Sequence, residues 1–541
     1  MTSRDSDPTT NQGIGVWIER RRIKSAGVPA LIYQNASVNY DDLADRVQRL
    51  AASFTAYGVR SSDRIAYLGN NHPAFVETLF ASALIGAIFV PLNTRLARQE
   101  LVYQIDDSGA HVLVNAQSLE SAAEDVATRT PLELRIVVDD AGTTDAEFRR
   151  ATGTQTPFFG YEQFLQTSGE RVEATVSTDD PALLIYTSGT TGRPKGAVLS
   201  HGNVLWNCLN VLVDYDITSS DKSLMISPLF HVASLDMGCL PTLLKGGTVI
   251  MEETFDPGRA LALIESYGVT MISGVPTTYQ MLCEHPDWAT TDVSSLRNLT
   301  CGGSPVPTRV LEAYEQRGLS FSGGYGLTET SPGLTSLQPR YSREKAGSGG
   351  LPHFFSSMRV VDEVATDQPP YNPGEILAKG PNVIREYWHR PEETAASFTT
   401  DGWFRTGDVG YLDDDGFLYI SDRIKDMIIS GGENIYSAEV EEAVMQLADV
   451  KSVAVIGVSD QTWGEVPHAV IVLVEGAELD PERFRAHMVE RLARYKVPKS
   501  YQIVDELPRT SSGKIQKQSL RTALPAGTIV SVRGSSGREP T

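Results

Sequence analysis

The densest run of chemically useful residues lies between Leu183 and Val204, LLIYTSGTTGRPKGAVLSHGNV. An apolar strand, Leu183 to Tyr186, runs into a loop of small hydroxyl and glycine residues, and that loop leads to Lys195. Gly189 and Gly192 let backbone N–H groups come close to an anion, while Thr187, Ser188, Thr190 and Thr191 add hydroxyl donors. The chemistry is that of a phosphate cradle. It is not a Walker A loop, which needs Gly-Lys-Ser/Thr in sequence; here Arg193-Pro194 separate Gly192 from Lys195.

Five further motifs follow in order. They are Tyr325-Gly326-Leu327-Thr328-Glu329-Thr330, Trp403-Phe404-Arg405-Thr406-Gly407-Asp408, Asp422-Arg423-Ile424-Lys425-Asp426, Ser430-Gly431-Gly432-Glu433-Asn434 and Pro508-Arg509-Thr510-Ser511-Ser512-Gly513-Lys514-Ile515. With the phosphate cradle, this set resembles that of the adenylate-forming superfamily, which holds acyl- and aryl-CoA ligases, nonribosomal-peptide adenylation domains and firefly luciferases. The resemblance runs from about Gly13 to Ala526, and it is to the bacterial medium- and long-chain fatty acyl-CoA synthetases of fatty acid metabolism. It implies ATP-dependent conversion of a carboxylic acid to an acyl-adenylate with pyrophosphate release, then transfer to the thiol of coenzyme A. The alternative is an enzyme that passes the activated acid to a carrier protein or another nucleophile in natural-product assembly.

Joining a carboxylate to a polyanion requires cations and oriented dipoles where charge builds at the α-phosphate. Glu329 suits Mg²⁺, held directly or through water, and Thr328 beside it can donate to a phosphate oxygen. Asp408, expected after a strand and a Thr-Gly turn, can accept from both ribose hydroxyls. By resemblance, Arg423 is a second ribose contact, and Gly302-Gly303-Ser304 with Tyr325 and Gly326 flank the adenine. The resemblance also assigns Lys514 to bridging the attacking carboxylate and the α-phosphate. It sits after Ser511-Ser512-Gly513, a loop too small to be core, and presents one mobile charge. Lys425 matches the family's hinge, about which the C-terminal domain swings between half-reactions. Gly431 and Gly432 match the loop that lets backbone approach the pantetheine arm.

Pro228-Leu229-Phe230-His231-Val232-Ala233-Ser234 resembles the family's stretch leading into the acyl pocket, so the acid is expected near it. His231 stands where amino-acid-activating domains carry an aspartate for the α-amine, which argues for a plain carboxylic acid. It is counted with Lys514, Thr328 and Glu329 among the catalytic candidates. The substrate pocket is expected from His231, Ala233, Ser234, Asp236, Gly302, Gly326 and Pro332, with Val275-Pro276 beside them. Asp236 either faces solvent or caps a helix, or else meets a polar or amine group of the substrate. Met237, Gly238 and Cys239 are small or adaptable and permit a sizeable apolar group.

These residues need rigid elements to hold them. Short apolar runs alternate with helical patterns, and strands are expected at Leu183 to Tyr186, Thr248 to Met251, Val269 to Ile272 and Leu296 to Thr300. Leu43, Val47, Leu50 and Phe54 recur at helical spacing, with Gly58 as the stop. The fold class is therefore α/β with mostly parallel sheets, a large N-terminal domain of layered subdomains and a small mobile α+β domain. YLDDDGFLYI reads as a hairpin turning at Asp415-Gly416, with strands then at Val450 to Val458 and Val466 to Val474 and a helix from Pro481 to Tyr495. The expected divisions are a disordered tail at 1–12, an adenylation domain at 13–421, a mobile domain at 422–526 and a disordered tail at 527–541.

Composition narrows the class further. Of 541 residues, 47 are Lys or Arg and 68 are Asp or Glu, a net charge of −21 that argues against nucleic acid as a partner. The apolar run Ala81 to Leu92 is shorter than the roughly 20 residues of a membrane span. Met1 to Asn11 is polar, with no signal-peptide pattern, so a cytoplasmic protein is expected. Four scattered cysteines offer no CxxC, and neither HExxH nor GxSxG occurs, so zinc and hydrolase chemistry are not indicated. The expected partners are a small carboxylic acid, ATP and coenzyme A, with a homodimer left open.

Overall fold

The computed structural model describes residues 11–139, 156–166, 170–187, 194–302, 306–423, 426–430, 433–460, 463–492, 494–509, 515–522, 524 and 529–532. The chain gathers into two compact units, Met1–Met358 with Ala378–Phe404, and Arg359–Leu377 with Arg405–Thr541. The expected boundary at 421/422 falls inside the second unit, within the strand Leu418–Arg423.

The first unit holds two large sheets. One runs Phe158–Gly160, Leu134–Val138, Val112–Ala116, Arg64–Leu68, Ile88–Leu92, Pro181–Thr187 and Lys195–Ser200. Its neighbours are parallel except the last pair, which is antiparallel and sets Thr187 opposite Lys195. The second sheet has nine strands, with Thr248–Met251, Lys222–Met225, Met271–Gly274, Asn298–Cys301 and Phe321–Tyr325 parallel at its centre. Its core packs Leu224, Ile250, Ile272 and Leu299 against Leu261, Ile264, Tyr279 and Tyr314 from the covering helices. Each such side chain contributes about 1.5–3 kcal/mol when fully buried.

Local chemistry explains the boundaries. Asn39 caps the helix Tyr40–Ala56 by accepting from the Asp42 N–H, and Leu43, Val47, Leu50 and Phe54 form its buried face. At its end Gly58 takes φ 92° and the Val59 N–H reaches back to the Phe54 carbonyl. The apolar run Ala81 to Leu92 divides into the end of the helix Pro73–Leu84 and the buried strand Ile88–Leu92. Val269 was expected to open a strand but instead closes a helix. Gly268 is left-handed after Pro257–Tyr267, the Val269 N–H donates to Ile264 O, and the strand starts at Met271.

The second unit begins with most of a four-stranded sheet, Ser357–Val361, Gly374–Lys379, Phe404–Leu412 and Leu418–Arg423. The expected hairpin is its last pair. Gly416 turns at φ 84°, and Asp413 Oδ1 accepts from the Asp415 and Phe417 N–H groups. A six-stranded sheet built around Val450–Asp460 and Gly464–Leu473 packs on the helices Ser437–Met445 and Pro481–Arg491. The second helix stops four residues short of Tyr495, because Leu492 is extended and packs against the core of this unit. The expected tail at 1–12 lies outside the described residues except for 11 and 12, but the expected disorder at 527–541 is corrected at Ile529–Ser531, which pairs with Ser500–Ile503 as an edge strand of the six-stranded sheet.

Candidate active site

Four parallel neighbours of the nine-stranded sheet end together, and their carboxyl ends lead to His231, Val275, Gly302 and the turn at Tyr325 to Glu329. Open α/β sheets hold ligands outside the carboxyl ends of strands. Tyr325, Gly326, Thr328 and Glu329 are all half-buried. A Cβ at Gly326 would stand 1.6 Å from the Pro332 carbonyl oxygen, so the turn closes only with glycine there. At Gly302 a Cβ would meet nothing within 4 Å among the described residues. The Thr330 hydroxyl pins the turn, accepting from the Leu327 N–H at 3.0 Å and donating to Pro332 O at 2.6 Å. Behind it the fully buried Asn382 donates to Thr330 O and Gly333 O.

Among the residues expected on the acyl side, Ala233 is exposed, Pro332 is buried and the Ser234 hydroxyl donates inward to Ser227 O. Asp236 neither faces solvent nor caps a helix. It lies fully buried on a π-helical turn, Leu235–Cys239, and among the described residues neither carboxyl oxygen has a hydrogen bond. Burial pushes its carboxyl well above the usual carboxylate range. The Cys208 and Cys239 thiols, themselves raised by burial, are its electrostatic neighbours.

The strands Pro181–Thr187 and Lys195–Ser200 bring Thr187 and Lys195 to the two ends of the expected phosphate loop; Ser188, Gly189, Thr190, Thr191 and Gly192 lie outside the described residues, as do Gly303 and Ser304. Asp107 holds this neck. Its Oδ2 accepts from the Tyr186 hydroxyl at 2.9 Å and its Oδ1 from Arg390 Nη2 at 2.6 Å, while the Tyr103 hydroxyl donates to Pro194 O at 3.0 Å. Burial and the Asp107 carboxylate push the Tyr186 phenol far above its ordinary value, which keeps it a donor. Nearby, the Tyr387 hydroxyl donates to Glu329 Oε1 at 2.8 Å and Lys195 Nζ stands 4.5 Å from the Tyr387 ring centroid.

In the second unit Asp408 is buried inside the strand Phe404–Leu412, not after a turn: the Thr406-Gly407 step is a kink within it, with Gly407 at φ 69° and the Asp408 N–H on Thr406 Oγ1. The ladder sets Asp408 opposite Arg423. Lys425, Gly431 and Gly432 lie outside the described residues, although Ser430 pairs with Glu433 across the two glycines. Asp426, next to the expected hinge, is paired with Arg521. Lys514 is also outside, but a bridge between Arg509 and Ile515 and a bond from the Gln516 N–H to Pro508 O join the chain on either side of it.

The model of the AMP-binding enzyme family matches residues 18–388, and that of the AMP-binding enzyme C-terminal domain matches residues 439–514. The chain belongs to the AMP-binding enzyme family. It is 48% identical over 512 residues to a feruloyl-CoA synthase of Amycolatopsis sp, covering 94% of this chain and 99% of that one. It is 38% identical over 516 residues to an indoleacetate–CoA ligase of Aromatoleum aromaticum, covering 95% and 98%. Among solved structures, o-succinylbenzoate CoA synthetase from Bacillus subtilis with ATP and magnesium ion aligns at a TM-score of 0.82 and 34% identity, covering 94% of this chain and 98% of that one. The same enzyme with its acyl-adenylate intermediate aligns at 0.80 and 33%, covering 95% and 98%. The chain is an AMP-forming acid–thiol ligase.

As an AMP-binding enzyme it uses ATP with Mg²⁺ and coenzyme A. The residues fit that metal: Tyr387 engages Glu329 Oε1, and among the described residues Oε2 makes no hydrogen bond. One carboxylate beside substrate phosphates is a common Mg²⁺ arrangement. A separate cavity of about 560 Å³, lined by Thr178, Ser200, Trp206, Lys379, Arg385 and Phe398, includes none of the expected site residues among the described ones. Sequence reasoning missed Asp107, Tyr103, Tyr387, Arg390 and the role of Tyr186. Tyr186 stands inside the phosphate motif and Tyr387 shortly before the helix Pro391–Ala396, which were usable signals; Asp107 had none. No helix among the described residues is long and apolar enough to cross a membrane.

Proposed function

We propose that the acid activated is an aryl-substituted carboxylic acid of the hydroxycinnamate type, taken to its CoA thioester. The observation that carries this reading is the 48% identity to feruloyl-CoA synthase over nearly the whole of both chains. It replaces the fatty-acid setting suggested by motif resemblance. The open space at Gly302 and the exposed Ala233 support it, since a flat ring needs small residues beside it.

In the first half-reaction a carboxylate oxygen bonds to the α-phosphorus as the bond to pyrophosphate breaks. We assign Thr187 to Gly192 and Lys195 to the departing phosphates, Thr328 to a phosphate oxygen and Lys514 to the charge shared between carboxylate and α-phosphate. Asp408 and Arg423 take the ribose, and Gly302 to Ser304 with Tyr325 and Gly326 take the adenine. Mg²⁺, when bound through Glu329, neutralises phosphate charge. In the second half-reaction the CoA sulfur bonds to the acyl carbon, its proton is lost and AMP leaves. Lys425 is assigned as the hinge between the halves, with 13–421 and 422–526 as the moving parts. Gly431 and Gly432 flank the pantetheine arm, and His231, Ala233, Ser234, Asp236 and Pro332 belong to the acyl side, with Gly302 and Gly326 shared between adenine and acid. ATP and coenzyme A as co-substrates favour a cytoplasmic setting.

The test is a panel of ferulate, 4-coumarate, indoleacetate, benzoate and octanoate, read by pyrophosphate release and by CoA thioester formation. A hydroxycinnamate should have the highest kcat/KM. A preference for octanoate over every aryl acid would overturn the substrate class.

A further inference from the structure

We infer that Tyr387 is a positioning residue for adenylation, setting the Glu329 carboxylate and the Lys195 ammonium as a pair. The inference deepens the proposed function and rests on its assignment of Glu329 to the metal and Lys195 to the phosphates.

Glu329 and Lys195 arrive on separate parts of the chain, one on the turn Thr328–Thr330 and one at the start of the strand Lys195–Ser200. Tyr387 touches both with different parts of one side chain. Its hydroxyl donates to Glu329 Oε1 at 2.8 Å, and its ring faces Lys195 Nζ at 4.5 Å, within the range of a cation–π contact. Both contacts constrain direction. A hydrogen bond to Oε1 fixes the rotation of the carboxylate and leaves Oε2 for a ligand. The ring supplies no hydrogen-bond acceptor to Lys195, so the ammonium is located while its N–H donors stay available for phosphate oxygens.

The tyrosine is itself held from both sides. It is 6% exposed, and its N–H donates to Thr394 Oγ1. Tyr387 bridges Ala197, with the Trp388 N–H on Gly196 O and the Val198 N–H on Glu386 O. Three residues earlier, the Ile384 N–H donates to Glu329 O. The segment 384–388 is therefore bonded both to the Lys195 strand and to the Glu329 turn. A side chain anchored in this way sets the spacing of two charges at no cost in reorganisation when the nucleotide arrives.

Tyr387→Phe keeps the ring and loses the hydroxyl, whereas Tyr387→Leu loses both. The readouts are Mn²⁺ affinity by electron paramagnetic resonance in the presence of a non-hydrolysable ATP analogue, and affinity for that analogue without metal. Losing one hydrogen bond to a charged group predicts Mn²⁺ affinity roughly 10-fold weaker for Tyr387→Phe. Its metal-free analogue affinity should stay within about twofold, because the ring still seats Lys195. Tyr387→Leu should weaken both. Glu329→Gln is the control, and adding Tyr387→Phe to it should change Mn²⁺ affinity no further. If Glu329→Gln leaves Mn²⁺ affinity intact, the metal assignment falls. If Glu329→Gln weakens it and Tyr387→Phe does not, the metal assignment stands and the positioning role falls. Equal loss of metal and metal-free affinities in Tyr387→Phe, with a lowered melting temperature, would make the tyrosine a scaffold residue and overturn the inference.

Discussion

Replacing Asp107 by alanine tests whether the phosphate loop is held at its neck. The change removes the acceptor of the Tyr186 hydroxyl and the partner of Arg390. Tyr186 is half-buried, so its orphaned hydroxyl costs about 1–2 kcal/mol. Arg390 is 28% exposed and Asp107 11%, so water recovers much of the lost ion pair, leaving about 0.5–1 kcal/mol from it. The sum is about 1.5–3 kcal/mol. An unfolding entropy of about 2.1 cal/mol/K per residue over a unit of roughly 385 residues gives about 0.8 kcal/mol/K. The melting temperature should therefore fall by about 2–4 °C. Freed Arg390 no longer steadies the Tyr103 hydroxyl on Pro194 O, and losing that tie, worth about 1 kcal/mol, should raise KM for ATP roughly fivefold. Thermal melting and ATP–pyrophosphate exchange measure the two effects. A lowered melting temperature with KM for ATP unchanged would refute the reasoning, since the network would then hold the fold and not the loop.

Burial lowers the His201 pKa to about 4, although Asp180 opposes the shift, and His201 Nδ1 accepts from the Ile14 N–H. The unfolded chain thus binds a proton below about pH 6.5 that the native state refuses until about pH 4, and stability falls as pH drops through that window. The stability gap between the protein and His201→Asn, read by denaturant unfolding, should narrow by about 2 kcal/mol from pH 7 to pH 5; a gap independent of pH would contradict this. Asp408→Ala should weaken ATP binding roughly 10- to 100-fold while the acid's KM changes little, and an unchanged ATP dissociation constant would remove Asp408 from the site. Gly326→Ala should abolish measurable adenylation, because its Cβ collides with Pro332 O. Gly302→Ala, with open space, should keep its melting temperature within about 1 °C yet raise KM for bulky aryl acids; the reverse ranking would sink the pocket assignment.

The fold was legible wherever one element buries one face. Leu43 to Phe54 spelled a helix, and Thr248 to Met251 became a strand over the expected residues. The misplaced edge at Val269 shows the limit: one apolar residue serves equally to open a strand or close a helix, and only the left-handed Gly268 decided it. Asp408 was recognisable from its motif, but the kink that keeps it within a strand depends on pairing with Leu418–Arg423. Asp236 looked like a surface or cap residue because a lone carboxylate usually is one, and no neighbour in sequence announces its burial. The contacts of Asp107 and Tyr387 were out of reach for a plainer reason. Asp107 meets Arg390 across 283 residues, and Glu329 meets Tyr387 across 58. Spacing along a chain carries no record of such pairs.

The two compact units are interleaved along the chain, since Arg359–Leu377 belongs to the second and Ala378–Phe404, with Tyr387 and Arg390, returns to the first. No single cut separates them. A fragment ending at residue 421 breaks the strand Leu418–Arg423 two residues early and keeps pieces of both units. One ending at Met358 discards the segment that stitches Lys195 to Glu329. Exchange of the C-terminal part between relatives, in the laboratory or by recombination, therefore leaves Ala378–Phe404 with its own first unit only when the junction lies beyond Phe404. The pairing of Glu329 with Lys195 is then inherited with the first unit, whichever C-terminal part is joined to it.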